Sequence, residues 1–123
     1  MNHKLVFTER ILGEHGTEML INGAITQTIR GMGYGEEFLD MKGRVVDVMV
    51  RNGGMVNRRF LYCAKITSIT KINLGSLTVH DAIIGGFRSL DELKLALKRA
   101  NFRFKPLGEY NAYAIQFKQV AKN

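Results

Sequence analysis

Residues 57–72 read NRRFLYCAKITSITKI. Neither proline nor glycine interrupts this run, and β-branched and aromatic residues dominate it. Such side chains fit a pleated, half-buried surface, so the run predicts one long or bent strand. The valine-rich stretch at 43–51, GRVVDVMVR, predicts a second strand. Between them, Asn52, Gly53 and Gly54 supply the residue types of a tight hairpin turn. A chain with this hairpin at its centre must build a sheet and cover at least one face of it.

The flanking segments say what covers it. Residues 8–22 predict a helix, with Thr8 as a cap and Phe7 stapled to Leu12. Gly13 and Gly16 weaken its middle and predict a kink or two short helices, and Gly23 stops it. Residues 24–30 alternate as a strand. TVHD at 78–81 and SLDE at 89–92 match helix-start capping patterns. The second of these opens a helix whose Leu90, Leu93, Ala96, Leu97 and Ala100 recur at core spacing, with Lys94 and Lys98 outside. The run 111–118 places Tyr113, Ile115 and Phe117 on one strand face. The order is helix, strands, two helices, strand: an α+β fold on an antiparallel or mixed sheet.

A length of 123 residues predicts one domain spanning 1–123. With 46% hydrophobic and 24% charged residues, the composition is that of a globular protein with a real core. No apolar run is long enough for a transmembrane helix, and Thr8 and Glu9 interrupt any signal-peptide core. Cys63 is the only cysteine and reads as a small core residue, so an intracellular, cytoplasmic setting is expected. His3 and His15 lack partners at metal-ligand spacing, and no cofactor motif is present. Ser68, Ser76 and Ser89 sit in no nucleophile elbow. His80 and Asp81 read as part of a helix start.

The formal charge is +7, and it is unevenly placed. Residues 1–93 carry eleven Lys/Arg against ten Asp/Glu, whereas residues 94–123 carry seven against one. This asymmetry points to an anionic partner, or to a solvated basic face. Lys94, Lys98, Arg99, Arg103 and Lys105 form the expected patch, extended by Arg58 and Arg59. Within NFRFKP, Phe102 and Phe104 interleave with cations, as stacking residues do in single-strand binders; the alternative places both rings in the core.

The stretch GAITQTIRGMGYG, residues 23–35, holds the candidate site. On a strand, Ile25, Gln27 and Ile29 share one face, and Thr26, Thr28 and Arg30 the other. That second face is either wet surface or the floor of a polar cleft. The Arg30 fork can grip a phosphate, or close a salt bridge with Glu36 or Glu37. The glycines at 31, 33 and 35 do not make a dinucleotide fingerprint. They read as a mobile loop over the cleft mouth, carrying Tyr34 to stack on a base.

GAITQTIR after a short helix, a KGR turn into a valine-rich strand, a long strand, then GGFRSLDEL and a final strand ending in IQFK together resemble the activating signal cointegrator homology (ASCH) domain. That family belongs to the PUA-like superfamily, and the resemblance runs from about Phe7 to Phe117. It implies a small β-barrel with peripheral helices around a cleft lined by residues 23–30, where RNA or a modified nucleoside binds. Some members resemble hydrolases of N4-acetylcytidine, and others ribonucleases. The hydrolase pattern asks for a lysine, a threonine and a glutamate. The threonine position is Thr28, the lysine position is Ile25, and the glutamate region reads Ile83, Ile84, Gly85, Gly86. Isoleucine and glycine transfer no proton, and general acid–base groups contribute about 10²- to 10⁴-fold. The expected function is therefore a non-catalytic RNA-binding module, with no membrane and no metal partner. An enzyme would have to recruit Glu36, Glu37 or His80. A third reading is a protein-interaction domain whose basic face meets an acidic partner.

Overall fold

The computed structural model describes residues 3–52, 58–102 and 110–120. In chain order the elements are β1 (His3–Thr8), α1 (Glu9–Ile21), β2 (Gln27–Gly31), α2 (Met32–Glu36), β3 (Val45–Arg51), β4 (Arg58–Ile72), a 3-10 turn (Leu74–Ser76), α3 (Val79–Ile84), α4 (Leu90–Arg99) and β5 (Ala112–Gln119). The strands form one sheet in the order β1-β3-β4-β5-β2. Only β1 and β3 run parallel; the other pairs are antiparallel. The sheet curls into a half-barrel.

The expected long strand is β4, and it does the curling. Its first half pairs with β3 and its second half with β5, with register shifts at Val48/Met49 and at Ile66/Ser68. Such irregularities bend a strand and increase its twist. The concave face buries Leu5, Phe7, Val46, Val48, Ala64, Ile66, Ile115 and Phe117. Leu12 and Leu20 of α1, and Leu93, Ala96 and Leu97 of α4, cover it. The helix spacing expected for α4 is the spacing that is buried. Both capping patterns are present: Thr78 and Asp81 form a reciprocal box, and the Ser89 hydroxyl accepts from the Glu92 amide. Among the described residues no helix is long and apolar enough to cross a membrane.

Three local expectations are corrected. The first strand was not foreseen. Leu5 and Phe7 point into the core while Lys4 stays exposed, and the six-residue run ends where α1 begins. Thr8 consequently belongs to a strand. Its side chain makes no cap bond and instead accepts from Arg51 Nη2 at 3.4 Å. Next, the strand expected at 24–30 starts only at Gln27, because the Thr26 amide bonds Ile84 O at 2.9 Å, at the end of α3. Finally, GMGYG is no mobile loop. Its Gly31 ends β2 and the rest folds into α2, with Gly35 buried against the Tyr113 ring. A Cβ at Gly35 would collide with that ring, so the close approach of α2 to β5 requires glycine there. The kink foreseen in α1 is present at Gly13, at φ 76°. Cys63 is half-buried on β4, donating to Asp47 Oδ1 at 3.5 Å, and burial with that carboxylate raises its pKa. Of the hairpin turn, residues 53 and 54 lie outside the described residues.

Candidate functional site

The order β1-β3-β4-β5-β2 leaves β1 and β2 as the two edges of the curled sheet. An edge strand presents main-chain groups that need partners. Arg30 of β2 supplies one across the gap: its Nη1 donates to Val6 O of β1 at 2.8 Å. Its Nε donates to Thr28 Oγ1 at 3.1 Å. The guanidinium lies over the Phe7 ring at 4.8 Å and the Tyr34 ring at 5.2 Å. Burial lowers its pKa below the ordinary arginine value, with Tyr34 opposing that shift. A guanidinium remains charged in proteins, and two of its five N–H donors are used here. No carboxylate among the described residues forms an ion pair with it. The expected alternative pairing with Glu36 or Glu37 does not form; Glu37 lies 3.7 Å from His3.

Two hollows meet at Arg30, sharing Val6, Thr8 and Arg30. The first is a mainly apolar pocket of about 190 Å³ between β1, β2 and the inner faces of α1 and α4. It has one polar wall, built from Gln27, Thr28 and Asp81. Gln27 is buried, and its bonds form a directional chain. Ser68 Oγ donates to Gln116 Oε1 at 2.9 Å, Gln116 Nε2 to Gln27 Oε1 at 3.1 Å, and Gln27 Nε2 to Asp81 Oδ1 at 3.0 Å. The other Asp81 oxygen accepts from the Thr78 amide at 2.8 Å and the Thr78 hydroxyl at 3.0 Å. Burial alone would raise the Asp81 pKa, but the bonds from Gln27 and Thr78 outweigh it, and the carboxyl is held below its ordinary value. The pocket therefore contains an ionised carboxylate whose partners are already in place.

The second hollow, about 540 Å³, is basic. Lys4, Arg30, Arg51 and Arg58 line it, with His3, Tyr34 and Glu37.

Of the residues expected at the cleft, Thr28 and Arg30 line the pocket, and Tyr34 packs on the guanidinium and on Phe38. Thr26 does not: it precedes the strand, is exposed, and lines neither hollow. Arg58 lies in the basic hollow, whereas Arg59 beside it is exposed and outside it. Lys94, Lys98 and Arg99 sit on α4, whose buried face walls the apolar pocket. Arg99 Nη2 reaches Ile11 O at 3.4 Å. Phe102 lines the pocket, while Arg103, Phe104 and Lys105 lie outside the described residues. Ile25 is in the core, so the family's lysine position holds no base. Positions 83–86 hold no acid, but Asp81, two residues earlier, lines the pocket. Asp81 of α3 and Gly85, which caps the end of that helix, are four apart and both line the pocket, a spacing that could have placed the acid there. Lys4, Arg51 and Gln27 were also missed; the first two come from the unforeseen strand and from the far end of the hairpin.

A curled mixed sheet with peripheral helices and a pocket at its open seam defines an α+β domain of PUA-like shape. No family model matches the sequence, and no curated protein matches it. Solved structures do. An ASCH domain of Lactobacillus crispatus aligns with a TM-score of 0.60 at 14% identity, over 83% of this chain and 68% of that one. A DUF984 protein of Enterococcus faecalis aligns with a TM-score of 0.62 at 15% identity, over 98% of this chain and 80% of that one. The chain has the ASCH-like fold, as its motifs led us to expect.

Proposed function

We propose that the protein is a non-catalytic RNA-binding module that receives RNA or a modified nucleotide at the seam between β1 and β2. One observation carries this reading: a half-buried guanidinium, clasped in place and stacked on two rings, has no carboxylate partner among the described residues. Withdrawing a cation from water is costly unless a counter-charge compensates, and a bound phosphate supplies one. The mainly apolar pocket beside it offers a site for a base, and the exposed Lys98 and Arg99 of α4 add attraction at long range.

Fluorescence anisotropy with short single-stranded RNA tests it. Affinity is expected to fall by about tenfold or more between low and physiological salt, through counterion release. Arg30→Ala is expected to weaken binding by about tenfold or more. Salt-independent binding, or an unchanged affinity in the variant, overturns the reading.

A hydrolase reading draws on one finding: Thr28 and Asp81 line the same pocket. Its handicap is equally specific, because Asp81 is held as a weakly basic carboxylate by its bonds to Gln27 and Thr78. Incubation with N4-acetylcytidine decides it; release of cytidine would replace the binding-module reading.

A further inference from the structure

Resting on the nucleic-acid reading above, we propose that the basic hollow is a phosphate seat, so that a nucleotide binds with its base toward the apolar pocket and its phosphate among Arg30, Arg51 and Arg58. Arg51 of β3 and Arg58 of β4 are direct cross-strand partners. Like charges placed opposite each other destabilise a sheet. A carboxylate between them would remove that cost, yet neither forms an ion pair among the described residues. The one acid in the wall, Glu37, sits against His3. Lys4 adds a further cation. The hairpin end therefore carries an electrostatic penalty that folding does not explain and that an anion would relieve.

Geometry then links this charge to the pocket. Val6, Thr8 and Arg30 belong to both hollows, so the two adjoin at the Arg30 guanidinium. Arg30 is already oriented by Val6 O and Thr28 Oγ1, and Arg51 Nη2 reaches Thr8 Oγ1 at 3.4 Å. Guanidinium forks suit the tetrahedral oxygens of phosphate, and prior orientation lowers the entropic cost of binding. A phosphate group could come from a free nucleotide, the end of an RNA strand, or its internal backbone.

The test begins with inorganic phosphate, compared with chloride at matched ionic strength. Phosphate is expected to raise the melting temperature of the wild type and to leave that of the Arg51→Gln/Arg58→Gln variant unchanged. In chloride the variant should melt at or above the wild type, because the opposed charges are gone; this shows that it folds. Uridine, uridine 5′-monophosphate, and a hexamer with and without a 5′-phosphate then identify the source. A phosphate-bearing ligand should bind the wild type about tenfold or more tightly than it binds the variant. Tightest binding of the monophosphate identifies a free nucleotide, a gain from the hexamer's 5′-phosphate identifies a strand end, and equal hexamers that both weaken in the variant identify the backbone. Phosphate stabilisation of the wild type alone, with no hexamer binding, keeps the seat and removes the RNA reading. No phosphate effect on melting, with hexamers binding both proteins equally, overturns the seat and leaves the RNA reading standing.

Discussion

At the scale of single residues, Asp81 does two jobs with one carboxylate. It completes the capping box of α3 and anchors the buried Gln27 amide. Its pKa in the folded protein lies below the ordinary 3.8. The stability it contributes is thus fully present above that ordinary value and is lost as pH falls through the lower folded pKa. Asp81→Asn is expected to lower stability by about 1 kcal/mol at neutral pH, since a neutral acceptor replaces a charged one. The gap to wild type should close in acid below the folded pKa, where both side chains are neutral. Urea unfolding at several pH values reads this; a gap that persists in acid would contradict it. Thr78 and Asp81 as a cap could be read from TVHD, because a cap is a local pattern. The bond to Gln27 could not, since 54 residues separate the pair and nothing local marks a buried amide partner.

At the scale of elements, legibility followed length and periodicity. The hairpin strands, α4 and β5 repeat their pattern long enough for period to be unambiguous. The five-residue α2 is too short to show a period and is rich in the glycine that usually marks loops. Tertiary packing decides its conformation: Tyr34 stacks on Phe38 at 5.4 Å, and Gly35 sits on the Tyr113 ring. Gly35→Ala is expected to destabilise the protein by about 1–3 kcal/mol through overpacking, although alanine favours helix by about 1 kcal/mol in open positions. Chemical denaturation measures it. A stabilised variant would mean that propensity outweighs the contact. Strand β1 was missed for a related reason: its pattern is brief and abuts a helix, and a parallel partner more than forty residues away confirms it only in three dimensions.

At the scale of the whole molecule, the five-stranded sheet closes across its open side through a side chain. Arg30 joins β2 to β1 through Val6 O, where a full barrel would have main-chain pairs. Arg30→Ala is expected to speed amide exchange in His3–Thr8 and Gln27–Gly31 by about tenfold, and to leave the β3–β4–β5 centre unchanged. Hydrogen–deuterium exchange resolved by peptide measures this; uniform loss of protection would show instead that the clasp supports the entire fold.

The strand order has a further consequence, for the timing of synthesis. Strand β2 pairs in the sheet with β5 alone, and β5 comes from residues 112–119. While the ribosome is still making the earlier segments, the strand bearing Arg30 has no neighbour to pair with. The hairpin can collapse early, but the seam between β1 and β2 is assembled only after β5 has emerged. A nascent chain therefore completes its core, which needs Ile115 and Phe117, and closes the seam at Arg30 in the same late step.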